Sequence, residues 1–461
     1  MNISKKNDLT VDTIVSYAAS LSYNDLTTES ISEAKRRVID SIAIAFAGYE
    51  EDCSKFARKL ALSSQGTPGS TLLGTEHLCY PELATLANGT MLHSQDFMDT
   101  YLSKESLHPS DTICAILAAA EMTGANGKEV ILGIVLAYEV MCRLADVANV
   151  RERGWDHVVF GVIASSIASA KVMKLSVEQM KETLALAVVS NTALRQTRVG
   201  EVPMWKAFAP ANAASNGLLA ARLASMGVTG PVEPFQGEKG FERQVSGPLI
   251  FTDFGSKKTG YRINQCYIKV WPIQYNTQAG VQAVLLIRDQ ITDFDTVEKI
   301  IIDISEIGRI LSADTQAKWD PQTRETADHS LPYIVVSALI DGEIKRETFD
   351  RESFRNERKL SLVQKVEVRA DPDFTKSYPE KLSVRVSIRT SDGTTHLKQV
   401  DIPKGHYLDP LSDIEVEEKF TRFVSRKLTD AQTKIGLNQL WNLDQATDIG
   451  KLMRSFAIKS H

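Results

Sequence analysis

The sequence predicts a mainly α fold, with a large all-α helical domain built from both chain ends and a smaller α+β domain inserted between them. Three observations predict it. Up to about Gly260, apolar residues recur at helical spacing in an Ala-rich background; beyond it, short β-branched and alternating runs appear; from Asp413 the helical spacing returns. The boundaries fall at 1–265 and 403–461 for the helical domain and 266–402 for the α+β domain.

The elements follow in order. Val11 to Ala47 reads as two amphipathic helices, the second with Ile31, Ala34, Val38, Ile42 and Ala45 three and four apart and Gly48 as its stop. Ser64 to Gly74 is a loop, with Gly66, Pro68 and Gly69 close together. Helices are expected over Pro81 to Phe97 and, capped by Ser110, over Asp111 to Met122. Glu129 to Val147 and Val158 to Met173 follow, then Ser176 to Val189 behind a Ser176/Gln179 capping box, then Asn212 to Met226 before Gly227. In the inserted part Lys299 to Ile304, Gln364 to Arg369 and Leu382 to Ile388 read as strands. Ser391-Asp392-Gly393 makes a hairpin into Thr395 to Ile402. Thr277 to Asp289 and Tyr333 to Leu339 are helices among them, and Asp413 to Lys427 and Asp430 to Trp441 close the chain.

Composition bounds the function. The 461 residues are 43% hydrophobic and 24% charged, as in an ordinary globular enzyme. With 58 acidic against 53 basic residues, the net charge of −5 offers no field to recruit nucleic acid. Five widely spaced cysteines without a Cys-x-x-Cys pair read as reduced thiols, against a zinc or iron–sulfur site. Met1 to Val11 shows neither a secretory core nor a transit peptide's arginines, and no apolar run is long enough for a membrane span. A cytoplasmic protein is expected, or a mitochondrial-matrix one if a transit peptide has been removed.

Five polar segments carry candidate chemistry. The first, His93 to Asp111, gathers Asp96, Asp99, Thr100, Lys104 and His108 within apolar surroundings, with His108 just ahead of a helix N-terminus that would receive an anion. The plainer reading makes Asp96 and Thr100 an i,i+4 pair on one helix face and His108 a loop residue. In Gly154-Trp155-Asp156-His157, His157 either binds or positions a group, or is packed beside a capping Asp156. Arg195, Arg198 and Lys206 form a third, cationic segment. Solvated surface charge competes there with desolvated anion binding. Lys269 stands inside the aromatic run Tyr267 to Tyr275, where a buried charge has a partner or a ligand unless it snorkels. The fifth segment brings Arg324, Asp328, His329, Ser330 and Tyr333 together, as a site or as a capped helix start.

Taken together, Asp96 to Glu105 (DFMDTYLSKE), His108 to Asp111 (HPSD), Gly154 to His157 (GWDH), Leu194 to Glu201 (LRQTRVGE) and Lys318 to Tyr333 (KWDPQTRETADHSLPY) resemble the 2-methylcitrate dehydratase branch of the MmgE/PrpD family. The resemblance runs in order along nearly the whole chain. It implies a homodimer in which the α+β domain is a lid over an active site that uses no metal and no cofactor, acting on a tricarboxylate. By motif, the site residues fall on Asp96, Thr100, His108, His157, Lys206, Lys269 and Tyr333. Met98 stands where a polar residue is expected, and Gln274 where some decarboxylases carry histidine.

The implied reaction is dehydration of 2-methylcitrate to 2-methyl-cis-aconitate in propionate breakdown, with citrate or cis-aconitate as further substrates. Lys206 and Lys269 are expected to stabilise charge on a carboxylate, with Arg195, Arg198 and His329 gripping substrate. Asp96 and His108 are the expected acid/base pair, their roles open. Thr100 and Tyr333 orient hydroxyl and carboxylate groups, and His157 binds or relays. The alternatives are a cis-aconitate decarboxylase forming itaconate and, from another class, an inactive tricarboxylate-binding scaffold.

Overall fold

In a computed structural model the structure describes residues 8–199 and 202–459. The first seven residues of the N-terminal reading, and Gly200 and Glu201 of the third polar segment, lie outside the described residues. The fold is mainly α, as the periodicities imply.

Among the described residues nine helices come first: α1 (Leu9–Ser20), α2 (Thr28–Ala47), α3 (Asp52–Leu62), α4 (Pro81–His93), α5 (Ile113–Thr123), α6 (Gly127–Val147), α7 (Val158–Val172), α8 (Val177–Ser190) and α9 (Trp205–Ser225). Local chemistry sets their ends. Thr27 accepts from Ser30 N–H ahead of α2, Gly48 stops it, and the Ser176/Gln179 capping box opens α8 as read. Small residues let these helices pack closely; a Cβ on Gly217 of α9 would meet Ser165 of α7 at 2.8 Å.

Three boundaries depart from the sequence reading. α4 ends at His93 rather than running to Phe97, and Asp96 takes a left-handed φ of 50°. Asp96 and Thr100 are therefore not partners on a helix face. The chain instead turns into a small hairpin of β3 (Tyr101–Leu102) and β4 (Ser106–Leu107); a similar two-residue pair, β1 (Ser70–Thr71) and β2 (Leu78–Cys79), precedes α4. Next, a 3-10 turn at Pro109–Thr112 has His108 itself at its N-cap, so the helix begins only at Ile113. Finally, α9 starts at Trp205, well before Asn212, and carries Pro210 in its interior. Pro210 removes the bond to the Lys206 carbonyl but does not stop the helix.

The inserted part holds β5 (Val297–Ile304), β6 (Val366–Ala370), β7 (Val384–Thr390) and β8 (Thr395–Val400) in the order β6-β5-β7-β8. β5 and β6 are parallel, which requires the helical crossover between them; β5–β7 and β7–β8 are antiparallel. The β7–β8 hairpin turns where Asp392 Oδ1 accepts from Thr390 Oγ1 and Thr394 N–H, with Gly393 at φ 85°. α10 (Gln278–Arg288) and α13 (Leu331–Asp341) cover the sheet, with the short α11 (Glu306–Ser312), α12 (Arg324–Ala327), α14 (Arg351–Phe354), α15 (Glu357–Val363) and α16 (Pro372–Lys376) around them. The chain ends in α17 (Asp413–Val424), α18 (Asp430–Trp441) and α19 (Ile449–Arg454).

Two large hydrophobic cores result among the described residues. One joins Val11 through Ile268 with Leu411 through Phe456, so both chain ends share it; the other runs from Ile273 to Val400. A small cluster of Leu102, Tyr267, Tyr275 and Leu382 lies between hairpin and insert.

Candidate active site

Asp96 lies where the two cores meet. Its left-handed backbone, tolerable for an aspartate but strained, turns the carboxylate inward to 5% exposure. Lys269, 1% exposed, donates to Asp96 Oδ1 at 2.8 Å and to the Asp96 carbonyl at 2.6 Å. Lys206, in the first turn of α9, reaches Asp96 Oδ2 at 3.2 Å, and so does His329 Nε2. Lys206 and His329 stand 3.5 Å apart, and His329 Nδ1 is hydrogen-bonded to Asp328. Burial opposes ionisation of Asp96, but Lys206 and Lys269 outweigh it and hold the carboxyl well below its ordinary range. The carboxylate form of Asp96 is thereby favoured, with both oxygens engaged.

The hairpin supplies the second group. Tyr101 pairs with Leu107, and one step further along that register sets Thr100 opposite His108. Thr100 is fixed by reciprocal backbone bonds to Tyr267, two residues before Lys269. His108 Nδ1 lies 2.7 Å from the Asp99 carbonyl, with Thr100 Oγ1 at 3.3 Å. A carbonyl can only accept, so Nδ1 carries the proton and Nε2 keeps its lone pair. Burial first, then the nearby Lys269 charge, pushes His108 well below the usual imidazole range. The neutral form of the imidazole is thereby favoured. The expected anion seat at the helix N-terminus is absent here, because Ser110 N–H is spent on Asp99 Oδ1. Asp99 itself also takes the Tyr138 hydroxyl and is structural.

Two more histidines flank His108. His157 packs edge-on against it with centroids 5.6 Å apart, its Nδ1 3.0 Å from Asp156, which Arg198 Nε holds at 2.8 Å. On the other side His93 stands 5.5 Å from His108 and is paired through Nδ1 with Asp111 Oδ1 at 2.9 Å. Burial raises Asp111 to about 7. The Nε2 atoms of His93 and His157 are buried and make no hydrogen bond among the described residues.

The sequence-predicted residues thus divide. Asp96, Lys206, Lys269 and His329 meet directly, and Thr100, His108 and His157 adjoin them. Arg198 reaches only the rear of the cluster, through Asp156 and His157. Arg195 is partly buried in the 3-10 turn behind Gly154, its N–H on the Gly154 carbonyl. Tyr333 is a correction: Ser330 caps α13 and accepts from Tyr333 N–H, and the helix turns that side chain into the second core. Its hydroxyl is hydrogen-bonded to the Thr348 carbonyl and to Ser353, so it takes no part in the cluster. Met98 is likewise fully buried in the first core. Gln274 adjoins the site through its N–H on the Asp328 carbonyl, and its side-chain oxygen is buried without a partner among the described residues.

The sequence reading missed three features. His93 opens the first polar segment but was given no role. Glu51 accepts from Gln95, the neighbour of Asp96, and also from Arg324 and Arg346 of the insert. Nothing in the sequence pointed to Glu51, because its arginine partners lie far along the chain. The third is Lys419, on α17.

Asp96, Asp328 and His329 are the one trio among the described residues whose donor atoms converge as a metal's ligands do, within 4.8 Å. A divalent ion there would have to displace two ammonium groups from Asp96.

Comparison with known proteins gives the family. The MmgE/PrpD N-terminal domain matches residues 12–252 and the MmgE/PrpD C-terminal domain residues 271–443. The chain is 26% identical to the human cis-aconitate decarboxylase over 94% of this chain and 91% of that one. It is also 26% identical to the Escherichia coli K12 2-methylcitrate dehydratase, over 88% and 87% of the two chains. A probable 2-methylcitrate dehydratase of Saccharomyces cerevisiae is 26% identical over 80% of this chain and 76% of its own length.

Proposed function

This chain belongs to the MmgE/PrpD family, and from that premise we propose that it is a 2-methylcitrate dehydratase. The observation that carries the reading is His108, its Nδ1 held on the Asp99 carbonyl and its Nε2 left with the lone pair, beside two ammonium groups anchored on one carboxylate. Elimination of water needs these parts: a base for a weakly acidic proton alpha to a carboxylate, cations for the charge that develops there, and an acid for the departing hydroxyl.

His108 Nε2 takes the proton from the methyl-bearing carbon, and the C–H pair becomes the new double bond. Lys206 neutralises the carboxylate beside that carbon. Burial weakens the hold of Lys269 on its proton, although Asp96 opposes this, so Lys269 is the acid that lets the hydroxyl leave as water. Asp96 keeps both ammonium groups in place, and His329 and His157 bind the remaining carboxylates. Orphaned buried nitrogens such as His157 Nε2 are costly unless a ligand or water meets them. A homodimer, with residues 266–402 as a lid, completes the proposal.

The second reading, a cis-aconitate decarboxylase, is favoured by the human relative of that name, whose identity to this chain equals that of the bacterial dehydratase. Chelator-treated protein is incubated separately with racemic 2-methylcitrate and with cis-aconitate, and products are identified by mass. 2-Methyl-cis-aconitate supports the first reading. Itaconate with carbon dioxide supports the second. Binding of both acids without product leaves a non-catalytic scaffold.

A further inference from the structure

α17, from the C-terminal arm, lies behind both the turn that carries Asp96 and the segment that carries Lys269. The residue it presents there is Lys419, 9% exposed. Its ammonium pairs with Asp40 Oδ1 of α2 at 2.7 Å and donates to the Lys269 carbonyl at 2.8 Å. It also sits 3.8 Å from the ring centroid of Phe97, the residue after Asp96. One turn further along α17, Phe423 packs edge-on against the same ring at 5.7 Å. One buried ammonium therefore touches the backbone of Lys269 and the neighbour of Asp96, the two halves of the central ion pair.

Both halves need holding. A non-glycine residue in the left-handed region is strained and persists only where its surroundings over-determine it. Asp96 is such a residue. Lys269 follows a single bridge between Tyr267 and Thr100; Ile268 N–H on the Gly405 carbonyl ties the segment just before it, and Gln278 holds Trp271 further on. The Lys419 bond to the Lys269 carbonyl is the next tie along. A buried lysine must have its charge answered, and Asp40, the carbonyl and the Phe97 ring face answer this one.

Charge adds a second effect. The Lys269 ammonium is faced by Asp96, Lys206, Asp328 and His108, and Lys419 by Asp40, Asp99 and Lys269. Burial weakens the hold of Lys419 on its proton, Asp40 opposes this, and the Lys269 charge weakens it further. Coulomb interaction is mutual, so Lys419 presses on Lys269 in the same sense.

We propose that Lys419 is a positioning residue: it holds the Asp96 turn and the Lys269 backbone in register, and its charge keeps Lys269 ready to give up a proton. The second half rests on the reading of Lys269 as the acid. Two variants separate the effects, since Lys419→Gln keeps a donor for the carbonyl and removes the charge, while Lys419→Met removes both. The expected loss in kcat is about 10-fold for Lys419→Gln and about 100-fold for Lys419→Met, with KM nearly constant, as misplacement of reacting groups by about 1 Å gives. The alkaline limb of the pH–rate profile moves up in both. A residue that only supports the fold would lower the melting temperature and leave kcat and the limb in place; that result overturns the proposal. Should Lys419→Met fail to fold, Phe423→Leu loosens the same ring without touching a charge. It is expected to lower kcat and leave the limb unmoved, and an unchanged kcat overturns the positioning role. Nitrogen-detected NMR of the Lys269 ammonium gives a readout independent of turnover. Its titration moves to higher pH in Lys419→Gln, and no movement overturns the charge effect. If neither tricarboxylate is turned over while that titration moves, the functional reading falls and the coupling of the two lysines stands.

Discussion

His329 Nε2 lies 3.2 Å from Asp96 Oδ2, and this contact joins the two hydrophobic cores at the point where both site lysines converge. Asp96 is the common partner of Lys206, Lys269 and His329.

Replacing that partner leaves two buried ammonium groups unanswered. Asp96→Asn has nearly the same volume, so the loss is electrostatic, about 3–5 kcal/mol as for other broken buried pairs. Urea unfolding of variant and parent measures it; a loss under about 1 kcal/mol would mean that Lys206 and Lys269 find other partners. In the parent the Asp96 contribution is present above the ordinary aspartate range and is lost only as pH falls through its depressed value.

Asp111 acts with the opposite sign. Its carboxyl is raised to about 7, so between its ordinary value of 3.8 and about 7 the folded state holds a proton that the unfolded chain releases, and stability falls as pH rises through that window. His93 and His108, both lowered well below 6.5, contribute stability that rises with pH up to that value. Asp111→Asn removes the falling component and leaves the rising one. Melting temperatures between pH 4 and 7 are therefore expected to climb more steeply in Asp111→Asn than in the parent, and parallel curves would contradict the assignment.

Glu51 ties the insert to the neighbour of Asp96 through Arg324, Arg346 and Gln95. Glu51→Gln is expected to raise KM several-fold with a smaller change in kcat, and to broaden the small-angle scattering profile, because a charged clasp between the two cores is lost. Identical scattering and KM would show that packing alone holds the insert in place.

Much of this was legible in the sequence, for identifiable reasons. Lys269 stood out as a charge in an aromatic run, and its burial with a partner is what desolvation requires. Ser176 with Gln179 announced a helix start, and Leu382 to Ile388 announced a strand by alternation. The turn at Asp96 was hidden because the apolar phase of α4 continues into Phe97 and Met98, and only tertiary contacts end the helix at His93. Tyr333 was misplaced because closeness in sequence to His329 does not put it on the same face; the Ser330 cap lies between them. Glu51 could not be read at all, since Arg324 is 273 residues away.

The central claim is that neutral His108 removes the proton from the methyl-bearing carbon. The most direct measurement is deuterium uptake at that carbon when 2-methylcitrate is equilibrated with the protein in heavy water, for the parent and for His108→Gln. The account predicts uptake by the parent together with alkene formation, and a loss of at least about 100-fold in both for a correctly folded His108→Gln, the usual range for a lost general base. Uptake and alkene formation at the parent rate in His108→Gln would contradict it and assign proton removal to another group.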